Sequence, residues 1–150
     1  MIGFSEGFHD AAVAVVNDGK ICYASHSERY SKIKHDKHLD ITAASTAQLL
    51  CHDGKIAFYE RPWLKRTRQL FAGQKAWYRP RHLSLKPTQY YSHHKSHAAA
   101  AFQTSPYERA ACVVVDSIGE WDTTSIWTAE YKDGKAVYKK RWSQWYPQSI

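Results

Sequence analysis

The chain has 150 residues, 43% hydrophobic and 23% charged, the balance of a globular domain with a real core rather than a disordered segment. No apolar run approaches the roughly 18 residues of a membrane span, and Met1-Ile2-Gly3-Phe4-Ser5 lacks the layout of a signal peptide. The net charge of +7 with six Trp and ten Tyr invites a nucleic-acid reading, but the basic residues fall in small scattered groups (Lys32, Lys34, Lys37; Lys65, Arg66, Arg68; Arg79, Arg81), which makes nucleic acid the less favoured reading, and the field could equally serve a small anion such as a nucleotide or acyl phosphate.

In chain order, Ile2 to Ser5 reads as a short strand closed by a turn at Glu6-Gly7-Phe8-His9-Asp10. Ala11 to Val16 is an apolar, β-branched second strand. Asn17-Asp18-Gly19-Lys20 is a hairpin signal, because Asp-Gly accepts the positive φ of a type I′ turn. Ile21 to Ser25 returns as a third strand, and Glu28 to Asp36 is expected to leave the sheet as a polar loop. Ile41 to Cys51 has helical spacing and a stop at Asp53-Gly54.

Lys55 to Glu60 is a strand, and Trp63 to Trp77 a basic helix expected to bury Leu64, Leu70 and Phe71, with Trp63, Trp77 and Phe71 as packing residues. Residues 79–88 carry Pro80 and Pro87 and are expected to be irregular, and Gln89 to Ser92 forms a short strand. A helix follows and stops before Ser105-Pro106. Ala111 to Asp116 reads as a buried strand, Ser117 to Glu120 as a polar turn, Thr123 to Glu130 and Ala136 to Trp142 as strands about a second Asp-Gly hairpin, Lys132-Asp133-Gly134-Lys135. The last third thus repeats the opening: strand, turn, strand, xDGK hairpin, strand. A duplicated unit is the economical explanation. Its second copy lacks the helices and further strands that follow the first, and we expect a truncated or split protein.

Cys22, Cys51 and Cys112 are odd in number, far apart and form no CxxC pair. Two lie in strand-like runs, so buried free thiols and a reducing, cytoplasmic location are expected.

The densest chemistry lies at Ser92-His93-His94-Lys95-Ser96-His97, ahead of four alanines that favour helix. In a helix starting near His93, His93 and His97 share a face with Cβ atoms roughly 5–6 Å apart, a spacing at which two imidazoles can hold one metal ion. His94 points elsewhere. The HExxH protease arrangement is excluded, because His94 stands where its glutamate base would be. Two histidines with a carboxylate suit iron(II) or zinc, and this chemistry alone does not choose between them. A solvated histidine pair is the plain alternative.

Several segments, in order, resemble the O-carbamoyltransferases of nodulation-factor and antibiotic biosynthesis: Phe8-His9-Asp10-Ala11-Ala12, Ser27 through Asp36 (SERYSKIKHD), Phe58-Tyr59-Glu60-Arg61-Pro62, His93 through Phe102, Ser105-Pro106-Tyr107-Glu108, and Val115 through Trp121 with Thr123-Thr124-Ser125. More distantly the chain is similar to the threonylcarbamoyl-transfer enzymes of tRNA modification. The resemblance implies an α/β chain of the ribonuclease-H-like, actin/Hsp70/hexokinase ATPase fold. A first subdomain with the metal-binding helix would span 1–108, and 109–150 would open an incomplete second copy.

It further implies an enzyme that makes carbamoyl-adenylate from carbamoyl phosphate and ATP and passes the carbamoyl group to an acceptor hydroxyl. A metal, iron(II) first and zinc second, would be held by His93, His97 and Asp116, with a fourth ligand, most of the nucleotide pocket and the adenylate-forming domain beyond Ile150. His9 would accept the acceptor's proton or bind the carbamoyl group, since imidazole titrates near working pH. Lys34 would stabilise charge as adenylate leaves, while Lys32 and Lys37 read as a solvated loop. Glu120 and Trp121 match the motif without a defined role. The competing class is a catalytically silent binding module that retains half of an ATPase-like fold and meets partners through its uncovered sheet.

Overall fold

A computed structural model describes residues 1–51, 53–74 and 84–148. It is a mixed α/β structure that divides into two compact units, Met1–Pro62 with Lys75–Tyr91, and Trp63–Gln74 with Ser92–Ile150.

In the first unit, β1 (Ile2–Ser5), β2 (Ala12–Asn17) and β3 (Lys20–His26) form the expected antiparallel meander. Asp18 and Gly19 both take positive φ, 50° and 75°, as a type I′ hairpin demands. The short helix α1 (Glu28–Ser31) follows, which corrects the expectation of a continuous loop over 28–36. It ends at once because Lys32 adopts the left-handed conformation. Helix α2 (Ile41–Leu50) is capped by Asp40, whose carboxylate accepts the N–H groups of Thr42 and Ala43. Its small Ala43, Ala44 and Ala47 let it press on β2 and β3.

Strand β4 (Ile56–Phe58) returns parallel to β1, in register Ile2↔Ile56, and β5 (Gln89–Tyr90) lies parallel to β4. The sheet order is β3-β2-β1-β4-β5. Ile2, Phe4, Val13, Val15, Phe58 and Leu85 fill its core, with the Phe4 and Phe58 rings 4.9 Å apart. Residues 84–88 are irregular, as Pro87 suggests.

Helix α3 (Pro62–Phe71) stops short of the expected Trp77, which lies outside the described residues. The cause is local: Gly73 takes φ 63°, a left-handed stop just past the helix. Its burial also corrects the expectation. Leu70 and Phe71 are exposed at 60% and 83%, while Lys65, Arg68 and Gln69 are buried.

In the second unit, helix α4 (His93–Gln103) starts and stops where expected. It packs on an antiparallel sheet of β6 (Arg109–Gly119), β7 (Asp122–Lys132) and β8 (Lys135–Trp145), in that order. Ala98 and Phe102 of the helix meet Cys112, Val114, Trp127 and Ala129 of the sheet. Burying a ring such as Phe102 stabilises by about 2–3 kcal/mol. Asp133 and Gly134 repeat the positive-φ pair of the first hairpin, at 50° and 71°.

Two expectations change here. β6 is half-buried rather than buried, because Val113 and Val115 alternate outward with Cys112 and Val114. The strand also continues through Ser117 to Gly119, and its register shifts between Val115 and Gly119. Residues 117–119 are thus part of an irregular strand, and the turn is Glu120-Trp121.

Cys51 and Cys112 are partly and fully buried, but Cys22 is exposed, against expectation; all three are free. Among the described residues no helix is long and apolar enough to cross a membrane.

Candidate metal centre

The second unit gathers three residues far apart in sequence. Helix α4 holds His93 and His97 one turn apart, with Nε2 atoms 3.0 Å from each other. Strand β6 brings Asp116, whose Oδ2 lies 2.8 Å from His93 Nε2 and 3.9 Å from His97 Nε2. The three ligand atoms all lie within 4.8 Å of one another. Two ring nitrogens and a carboxylate oxygen this close together form a donor set of the kind that holds a divalent ion. The side chains of His93 and Asp116 are 14% and 27% exposed, and that of His97 is 55% exposed, so the site opens on the His97 side.

The irregularity of β6 sets the carboxylate's direction. Asp116 Oδ1 accepts the N–H of Ser117 at 2.7 Å, which leaves Oδ2 for the histidines. The hydrogen bond from His93 holds the Asp116 carboxyl down at about 2. Burial, and then the nearby His93, push His97 below the ordinary imidazole range, while Asp116 pulls the other way. A neutral His97 keeps a lone pair for a metal, and the ionised Asp116 keeps its charge.

The residues that hold this cluster, Gly119 and Glu120, lie in the motif matched after Val115, where the sequence gives them no defined role. Gly119 lies against the His93 ring so closely that a Cβ there would stand 2.8 Å from His93 Cγ and from His94 Cδ2. Glu120, buried and with φ 59°, accepts the His93 N–H at 3.4 Å. That carboxylate serves the helix N-terminus where Ser92 makes no side-chain cap. His94, as expected, points away from the cluster. It is buried, with Nδ1 2.7 Å from Ser125 Oγ, which also accepts the indole N–H of Trp127 at 2.7 Å. Burial lowers the His94 pKa and keeps that ring neutral. In the sequence, Gly119 and Glu120 read as part of a polar turn within the matched segment Val115 through Trp121, and the contacts they make with His93 come from the packing of α4 on the sheet.

His9 and Lys34 belong to the first unit. His9 follows β1, and its Nδ1 lies 2.8 Å from Asp10 Oδ2, while His35 Nδ1 lies 3.1 Å from Asp10 Oδ1. Asp10 thereby joins the β1–β2 turn to the segment after α1. Its carboxyl is held below its usual range by the hydrogen bond from His9 first and His35 second. Lys34, next to His35, has a side chain 76% exposed and stands 3.5 Å from Glu28 Oε1. In the same unit the buried Glu6 accepts from Leu39 N–H, Ser84 N–H and Ser84 Oγ at 2.8–2.9 Å.

A family model described as carbamoyltransferase N-terminus matches residues 59–150, which take in α3, α4, the histidine–aspartate cluster and the whole second sheet. The chain belongs to this carbamoyltransferase family. It is also similar to the uncharacterized protein sll1178 of Synechocystis sp., with 30% identity over 168 aligned positions. That alignment covers 87% of this chain but 27% of the relative, so the chain spans about a quarter of the relative's length.

Proposed function

We propose that this chain is the N-terminal part of a metal-dependent enzyme that moves a carbamoyl group from carbamoyl-adenylate to an acceptor hydroxyl. The observation that carries the reading is the convergence of His93 Nε2, His97 Nε2 and Asp116 Oδ2 within a chain of the carbamoyltransferase family. The mixed sheet order β3-β2-β1-β4-β5 and the repeated meander support a ribonuclease-H-like, actin-like ATPase architecture. The three free cysteines are in keeping with a cytoplasmic setting.

In this reading His93, His97 and Asp116 hold a divalent metal, iron(II) in the first place and zinc in the second. A metal bound there supplies Lewis-acid polarisation of the carbamoyl carbonyl. His9 takes the proton of the attacking hydroxyl. Its Nδ1 faces the Asp10 carboxylate, which leaves Nε2 as the basic nitrogen. The hydroxyl oxygen forms a bond to the carbamoyl carbon, and the bond from that carbon to the phosphate oxygen breaks to release AMP. The Lys34 ammonium offers positive charge to the departing phosphate. Carbamoyl phosphate and ATP are the substrates from which the adenylate is made in the complete enzyme.

Metal titration of the purified chain, with elemental analysis after dialysis, tests the centre. One equivalent of iron(II) or zinc is expected in the parent chain, and His97→Ala and Asp116→Ala should each lose more than about tenfold in affinity, the loss seen on removing groups around a metal. Full metal content in both variants would overturn the ligand assignment. Transfer activity unchanged by His9→Ala in a full-length relative carrying this segment would overturn the base.

A further inference from the structure

Two imidazoles share one carboxylate in the first unit. His9 Nδ1 lies 2.8 Å from Asp10 Oδ2, and His35 Nδ1 lies 3.1 Å from Asp10 Oδ1. These contacts, His9 first, hold the Asp10 carboxyl below its usual range, so it is ionised at neutral pH. An ionised carboxylate only accepts hydrogen bonds, and both Nδ1 atoms must therefore carry a proton. Each neutral ring then keeps its lone pair on Nε2. A free histidine side chain in water favours the opposite form, with its proton on Nε2.

Stability gives little reason for this arrangement. The side chains of His9, Asp10 and His35 are 58%, 34% and 65% exposed, and ion pairs so open to water contribute little. The two segments are already joined by their backbones, with Gly7 N–H donating to the Lys37 carbonyl and Ala11 N–H to the Asp36 carbonyl, both at 2.7 Å. Asp10 and His35 nevertheless both take positive φ, 48° and 54°. Asp18 and Asp133 do so to close hairpins, and Lys32 does so to end α1. His35 does so in a turn that glycine or asparagine would make at least cost. An imidazole kept there, at the surface, points to a task for its side chain.

We propose that Asp10 and His35 are positioning residues for His9. Asp10 fixes the proton on His9 Nδ1 and so leaves Nε2 as the free base. His35 occupies the second carboxylate oxygen and keeps that group from rotating away from His9. The proposal rests on the function proposed above for one point, that His9 Nε2 takes the proton of the acceptor hydroxyl. In that step the oxygen–hydrogen bond breaks, its electrons form the bond to the carbamoyl carbon, and the proton passes to Nε2. The imidazolium so formed meets a negative charge already in place at Nδ1, with no reorganisation needed. Lys34, next to His35, belongs to the segment tied by Asp36 and Lys37, so the base and the cation for the departing phosphate share one frame.

The test reads the tautomer of each ring from the ring-nitrogen NMR signals of the isotope-labelled chain, at alkaline pH where free imidazole is neutral. The Nδ1–H form is expected to predominate at both His9 and His35. Asp10→Gly accepts the positive φ without strain and should lower the ratio of Nδ1–H to Nε2–H forms at both rings by at least about tenfold. His35→Asn, also tolerant of that conformation, should lower the ratio at His9 several-fold. Melting, and amide exchange over residues 7–11 and 35–38, should stay as in the parent, because the backbone ties remain. A proton on His9 Nε2 in the parent chain overturns the proposal. So does a ratio unmoved by Asp10→Gly, which would leave the contacts as ties of the fold. If Asp10→Gly does not fold, Asp10→Asn decides, since its one acceptor oxygen can hold only one ring in the Nδ1–H form; no change at either ring counts against the proposal. In a full-length relative carrying this segment, Asp10→Gly and His35→Asn should each lower kcat for carbamoyl transfer at least about tenfold with KM little changed. An unchanged kcat beside an altered tautomer overturns the positioning role. Failure of the base assignment itself shows differently, as transfer unchanged by His9→Ala.

Discussion

Gly119 and His93 are in such close approach that the glycine's missing side chain is what lets the imidazole reach Asp116. The Cβ of any other residue would overlap the ring, and neither the strand backbone nor the first turn of α4 can yield without moving the cluster. Gly119→Ala is therefore expected to destabilise the chain by about 1–3 kcal/mol, the usual cost of overpacking, and to weaken metal binding at least about tenfold. Urea denaturation and metal titration check the two effects.

Acid should expose the Asp116 contact. Its carboxyl is lowered to about 2 by the hydrogen bond from His93, so the stabilisation it contributes is present above the unfolded carboxylate pKa of about 3.9 and is lost as the pH falls through about 2. In metal-free protein the loss is on the order of 2 kcal/mol between those limits. Asp116→Asn should flatten that part of the pH–stability curve, as followed by denaturant midpoints from pH 5 to pH 2.

Ser125 offers a test of the buried network behind the cluster. Its hydroxyl stands 2.7 Å from both His94 Nδ1 and Trp127 Nε1, and all three residues are buried. Ser125→Ala leaves two ring nitrogens without that partner, at about 1–3 kcal/mol for an unsatisfied group. Thermal melting should drop, while Ser125→Thr retains the hydroxyl and should recover part of the loss.

In the first unit, Glu6 ties three chain segments together through Leu39 and Ser84. Glu6→Ala would take the acceptor away from the N–H groups of Leu39 and Ser84, with a cost of about 1–3 kcal/mol. Glu6→Gln keeps one acceptor oxygen and should lose less. Chemical denaturation of the two variants separates the roles of carboxylate and shape.

Patterns with a short physical range are legible in the residues themselves. The Asp-Gly hairpins, the apolar runs of β2 and β6, and the start of α4 at His93 all follow from local backbone preference and side-chain period. Expectation fails where distant packing overrides local chemistry. Ser117 to Gly119 looks like a turn by composition, but pairing with β7 keeps it in the strand and shifts the turn to Glu120-Trp121. Leu70 and Phe71 have the polarity of a core, yet Lys65, Arg68 and Gln69 are the buried positions of α3. Cys22 lies in an apolar run on β3, which is the outer strand of its sheet, and is exposed there.

That His93 and His97 share a helix face is written in their spacing, which depends only on helix pitch. The two meanders of the same design are legible too, because each carries a strand pattern and an Asp-Gly turn. The meeting of Asp116 Oδ2 with both histidines is not, for it comes through a shift in β6 register, a glycine against the His93 ring and a buried glutamate at the helix start. Most of those relations join residues some twenty or more positions apart. They depend on the pairing of whole strands and the packing of a helix across them, which no local pattern encodes.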